Sequence, residues 1–194
     1  MGQSLPKGRP VSTIVVIHPE SRESVELTTT ATGLDLFGND RGIVAMKVNG
    51  HLQDLQRELT DGDEVEPVLA NSDEGLAIIR HSTAHVTAQA LQHLFVDAKL
   101  GIGPPITDGF YYDFAISPLT PDDLKAIEKR MGQIVREKQR FVRREVSDEE
   151  AREELTAEPF KLELIADKGG ASAADGSSVE VGEGQLTIYD NVRR

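Results

Sequence analysis

Residues 64–95 read Glu64-Val-Glu-Pro-Val-Leu-Ala-Asn-Ser-Asp-Glu-Gly-Leu-Ala-Ile-Ile-Arg-His-Ser-Thr-Ala-His-Val-Thr-Ala-Gln-Ala-Leu-Gln-His-Leu-Phe95. The periodicity changes partway through. Glu64–Leu69 alternates polar and apolar residues, the pattern of a half-buried strand. Asn71 and Ser72 are then candidate N-caps, with Glu74 placed to reach back to them. Ile78, Ile79, Val86, Leu91 and Leu94 supply the apolar residues of a helix predicted from about Gly75 to Phe95. A strand-rich segment thus gives way to a helix-rich one, and the expected class is α+β with a boundary near residue 70.

Upstream, Ser12–His18 is β-branched and Ser24–Thr29 alternates, so both are expected strands around a turn at Pro19–Ser21. Thr32–Gly38 suits a short helix. Ile43–Val48 is a third strand, closed by the turn pair Asn49-Gly50, and Asp61-Gly62-Asp63 turns into Glu64–Leu69. Downstream comes Gly101-Ile-Gly-Pro-Pro105, then a hairpin turning at Asp108-Gly109. Thr120 caps a helix with Pro121 in its first turn and acids near its positive end. Leu124, Ile127, Met131, Ile134, Val135 and Val142 extend that helix to about Arg144. Ser147–Glu150 is a capping box for a short helix ended by Pro159. Phe160–Leu164 alternates like a strand, residues 169–178 form a glycine- and serine-rich loop, and Gln185–Tyr189 is a final strand. The chain stops soon after it, which is expected of a fragment.

His81 and His85 are four residues apart on the central helix and project from one face. Imidazole titrates nearest neutrality, so such a pair can activate water, bind a metal or orient a polar substrate. Gly101 and Gly103 permit a tight turn and close approach of a ligand to the backbone. Phe110, Tyr112 and Phe114 alternate with Tyr111 and Asp113, which puts one set against a core. His18, His51 and His93 have no partner at a telling spacing. The basic stretch Arg136–Arg144 suits either a solvated helix face or contact with phosphates.

Composition narrows the chemistry. The 194 residues carry 21 Lys and Arg against 33 Asp and Glu, a formal charge of −12. Nonspecific phosphate binding needs clustered cations, so any contact with nucleic acid is expected to be local. There is no cysteine, which removes thiol catalysis and cysteine-containing zinc sites from these residues. Two histidines leave a tetrahedral zinc site half built, so no metal is expected here. No apolar run approaches the roughly 20 residues of a membrane span, and Met1–Pro10 lacks a signal-peptide core. A cytoplasmic protein is the expectation.

Two sets of residues resemble a known family. Val48-Asn-Gly50, Asp54-Leu55 and Leu59-Thr-Asp-Gly-Asp63 are similar to the TGS domain, a ubiquitin-like β-grasp module. Arg80-His-Ser-Thr-Ala-His85, Gly101-Ile-Gly-Pro-Pro105 and Asp108-Gly-Phe-Tyr-Tyr-Asp113 resemble the second N-terminal domain of bacterial threonyl-tRNA synthetases. The resemblance implies a TGS-like domain over residues 1–70 and the N-terminal part of an editing domain over 71–194. It implies hydrolytic proofreading of Ser-tRNA(Thr): serine lacks one methyl of threonine, a difference worth only about 1–3 kcal/mol, so a second sieve removes the error.

On that resemblance His81 and His85 are catalytic residues of the editing site. Tyr112, with Gly101 and Gly103, binds the substrate around the terminal adenosine, and Lys161 contacts the ribose or the leaving oxygen. The family completes its site with a Cys-x-x-x-His pair expected beyond Arg194, so this chain would hold half a site and be inactive alone. The resemblance assigns ATP with Mg2+ and a Zn2+ to a catalytic core outside these residues. The implied partners are the 3′ end of tRNA(Thr) carrying serine, the rest of the synthetase, and a second subunit joined through other domains. Two alternatives remain open at this point: a freestanding trans-editing hydrolase, and a non-catalytic TGS/RNA-binding or regulatory module.

Overall fold

The computed structural model describes residues 11–18, 21–38, 40–103, 105–166, 179–182 and 185–192. The chain is mixed α and β, as its two periodicities require. It separates into two compact units, residues 1–79 and 80–194.

The first unit is built on a five-stranded mixed sheet. Its elements are β1 (Val11–His18), β2 (Ser21–Thr28), α1 (Gly33–Phe37), β3 (Ile43–Val48), β4 (His51–Gln53) and β5 (Glu64–Leu69). The order across the sheet is β2-β1-β5-β3-β4, with β1 parallel to β5 and the other pairs antiparallel. Ile14, Met46, Val48, Leu59 and Val65 form its core, and Leu27, Leu36, Phe37 and Leu55 pack around them. Asn49 and Gly50 both take positive φ (54° and 84°), the twist that a two-residue hairpin favours. That turn pairs β3 with β4, a strand too short to be legible in the sequence. Asp63 ties the unit's loops together, accepting from Asn49 Nδ2 (2.8 Å) and from both Thr60 N and Oγ1 (2.9 Å each). Burial opposes its charge, but these donors outweigh burial and hold the carboxyl below its usual range.

Helix α2 (Asp73–Leu94) follows. Ser72 caps it by accepting from the Gly75 N–H at 3.1 Å. Glu74 does not reach back to the cap; it pairs with Lys47 at 2.7 Å.

The second unit contains the rest of α2, then β6 (Lys99–Leu100), β7 (Pro105–Ile106), β8 (Gly109–Phe110), β9 (Phe114–Ala115), α3 (Pro121–Glu137), β10 (Arg140–Val146), α4 (Asp148–Glu154), α5 (Pro159–Ala166), β11 (Val179–Gly182) and β12 (Gln185–Val192). Ala90, Leu91, Ala98, Ile127 and Ile134 make one core, joined by Val86, Phe114 and Met131 among others. Ala151, Ile165 and Ile188 make a second beneath the three-stranded sheet β10-β12-β11. Thr120 caps α3 through the reciprocal box with Asp123.

Five expectations are corrected here. Helix α3 stops at Glu137, not Arg144: Lys138 turns left-handed (φ 50°, ψ 44°), and Arg140–Val146 is a strand. The strand expected at Phe160–Leu164 is helix α5. Pro159 opens that helix instead of closing the one before it; proline has no N–H to lose in a first turn. The hairpin turns at Thr107–Asp108, since Ile106 pairs with Gly109. The last strand runs on to Val192 and lies between β10 and β11, so it is covered on both edges. Pro19 and Glu20 of the first expected turn, and the loop expected at 169–178, lie outside the described residues.

Candidate functional site

Helix geometry stacks the His81 and His85 rings, with centroids 4.6 Å apart and planes 25° from parallel. Ala84 (0% exposed) and Ala88 (4%) bury the neighbouring face of α2, so small side chains let the helix settle into the unit with its imidazoles inward. The Phe141 ring of β10 packs against His85, centroids 6.1 Å apart.

Lys161 joins this pair from α5 and is 1% exposed. Glu158 puts it there. Its backbone carbonyl accepts from Lys161 N (3.0 Å) and Leu162 N (3.2 Å), starting the helix. Its carboxylate accepts from Gln92 Nε2 (3.0 Å) on α2 and from Leu100 N (2.9 Å) on β6. One side chain therefore fixes the start of α5 to the histidine-bearing helix. A strand at 160–164 would have turned Lys161 away from Phe160 and Leu162; on the helix it shares a face with buried Ile165, four residues on.

Electrostatics at His85 follow from that crowding. Burial, then the neighbouring His81, then the positive charge of Lys161 all oppose its protonation and push its pKa down to about 3. His85 is a neutral imidazole near pH 7, able to accept a hydrogen bond from water or a hydroxyl.

The remaining sequence candidates lie in the 101–114 segment. Tyr112 is half-buried and stacks on Phe114, with centroids 4.6 Å apart and planes at 12°. Gly103 lies under that ring: a Cβ there would come within 2.2 Å of Tyr112 Cδ2. Gly101 N–H donates to Asp113 O at 2.8 Å, and a Cβ there would also meet Asp113. The bare backbone at both glycines thus admits the chain's own Tyr112 and Asp113. His81, His85 and Lys161 are brought together; Gly101, Gly103 and Tyr112 form a neighbouring packed group. Sequence reasoning missed Phe141, Gln89 and Asn191. Gln89 continues the His81–His85 face by another four residues, so its position was readable. Phe141 reaches His85, and Asn191 reaches Gln89, through strand pairing, which leaves no local signal. Among the described residues no three His, Cys, Asp or Glu side chains are grouped to hold a metal. No described helix is long and apolar enough to cross a membrane.

No protein-family model matches the sequence. Curated relatives do, and they are aminoacyl-tRNA ligases. Specifically, the chain is homologous to an N-terminal region of bacterial threonine–tRNA ligases. That of Cutibacterium acnes is 64% identical over 170 residues, covering 87% of this chain and 25% of the relative. That of Streptomyces avermitilis is 58% identical over 180 residues, 92% of this chain and 27% of the relative. That of Thermobifida fusca is 59% identical over 172 residues, with 88% and 26% covered. The chain spans about a quarter of the length of these relatives.

Proposed function

We propose that this chain serves a threonine–tRNA ligase, which joins threonine to tRNA(Thr) with ATP, and that it supplies half of a site hydrolysing Ser-tRNA(Thr). Residues 1–70 are read as the β-grasp TGS domain and 71–194 as the first part of the editing domain. The mixed sheet with one short helix and the homology support the first assignment. The second rests chiefly on the meeting of the half-buried pair His81 and His85 with buried Lys161.

The chemistry suits an aminoacyl ester. Hydrolysis needs a water oriented toward the ester carbonyl, a place for its proton, and positive potential near the oxygen that gains charge. Neutral His85 accepts from the water or from a ribose hydroxyl. His81, stacked on it, holds the other side of the same polar group. Lys161, itself buried, supplies positive charge where it acts more strongly than at a surface. Tyr112 stands as a contact for the terminal adenosine, with Gly101 and Gly103 shaping its loop. ATP, Mg2+ and Zn2+ belong, on this reading, to the part of the ligase outside these residues. The partners are the seryl-bearing 3′ end of tRNA(Thr), the remainder of the ligase and a second subunit, and the setting is cytoplasmic.

The test is a full-length ligase carrying His81→Ala and His85→Ala together. Threonine charging stays at the wild-type rate, while deacylation of Ser-tRNA(Thr) falls by about 10²–10⁴, the range for loss of acid–base groups. Clearance of Ser-tRNA(Thr) at the normal rate by this variant overturns the reading.

A further inference from the structure

Asn191, on β12, stands in the wall of the imidazole site by two independent routes. It is the cross-strand partner of Phe141, so the two side chains share one sheet face, and the Phe141 ring packs on His85. Its Nδ2 also donates to Gln89 Oε1 at 2.6 Å, and Gln89 lies one helical turn beyond His85. The other end of the carboxamide, Asn191 Oδ1, is buried and accepts no hydrogen bond among the described residues.

A relay fixes the direction in which this amide points. Glu137 at its far end can only accept when ionised, and Arg130 Nη1 pairs with its Oε1 at 3.2 Å. Gln139 therefore turns Nε2 toward Glu137 Oε2, at 2.6 Å. That exposes Gln139 Oε1, which accepts from Gln89 Nε2 at 2.9 Å. Gln89 is left with Oε1 toward Asn191, which must answer with Nδ2. Reversing any one amide would set two donors or two acceptors face to face. The carboxylate thus dictates, through three amides, that a carbonyl oxygen ends the chain next to Gln89, on the sheet face shared with Phe141. Such an oxygen takes a donor and rejects another acceptor.

We propose that Asn191 Oδ1 is a binding subsite for a hydrogen-bond donor on the acyl group of the aminoacyl ester, its ammonium or its side-chain hydroxyl. Gln89, Gln139 and Glu137 are the positioning residues. This deepens the editing reading and rests on it.

The test measures calorimetric affinity of the full-length ligase for three non-hydrolysable amides of 3′-amino-3′-deoxyadenosine. One carries seryl, one alanyl (no hydroxyl) and one 3-hydroxypropionyl (no ammonium). In the wild type, loss of the group that Asn191 receives weakens binding about tenfold, the scale of one buried hydrogen bond, and the arm affected identifies the group. In Asn191→Leu the seryl compound weakens by that factor and the deletion has no further effect. Glu137→Gln does not touch the ligand and keeps the test alive should Asn191→Leu fold poorly. With either amide direction then allowed, the competent population falls and seryl affinity drops about two- to threefold. Deletion effects unchanged by both substitutions, or absent from the wild type, overturn the subsite and leave the editing reading standing. A wild-type ligase that binds none of the three overturns both.

Discussion

An imidazole that stays neutral down to about pH 3 links the site to the stability of its unit. In the unfolded chain His85 protonates near 6.5; in the folded unit it resists. Between those values the unfolded state holds more protons, so stability is full above 6.5 and declines as pH falls through the interval, by about 1.4 kcal/mol per unit. Asp35, Asp63, Asp123, Glu150 and Glu154 are shifted down from 3.8 or 4.5 and act at lower pH. Urea unfolding at pH 6.5 and pH 5 should therefore show the wild type losing about 2 kcal/mol more than His85→Gln. Equal losses would place the proton-linked burial elsewhere. Gly103 offers a steric test. Its missing Cβ leaves space that the Tyr112 ring fills, so Gly103→Ala should cost about 1–3 kcal/mol through overpacking, read as a lower melting temperature.

At the scale of elements, Lys138 is the informative position. It carries a Cβ in the left-handed region (φ 50°) where α3 gives way to β10. Glycine has no Cβ to strain there, though it loses more entropy on folding. Lys138→Gly should raise stability by about 0.5 kcal/mol, seen as a higher urea midpoint. The same junction shows where sequence reading succeeds and where it stops. Thr120, Pro121 and Asp123 announce the start of α3 through chemistry confined to four residues. Its end has no glycine, asparagine or proline; pairing of Arg140–Val146 with a strand near residue 190 overrides an unbroken helical pattern. At Phe160–Leu164 alternation suggested a strand, yet Lys161 is the buried residue and Phe160 is 39% exposed, the reverse of what hydrophobicity implies. A buried lysine beside two histidines is a local sacrifice of stability, and pattern reading fails there for that reason. The His81–His85 pair itself was legible because its spacing is set within one helix.

The whole chain holds separate hydrophobic cores in its two compact units. Protection from hydrogen exchange should divide the same way. Removing residues 185–194 takes away the central strand of β10-β12-β11, so the amides of Arg140–Val146 should lose protection while those of β1 and β3 keep theirs. Loss of protection in both units would mean that they unfold as one. Strand order also bears on synthesis. Gln89 and Asn191 stand 102 residues apart in sequence, and contacts of such separation form late because a long loop must close first. A ribosome exposes the His81–His85 face well before it releases β12. Through that interval the nascent segment carries both histidines without the central strand of β10-β12-β11. The Gln89–Asn191 bond then marks the moment when this strand slides between its neighbours, and chemistry waits on translation.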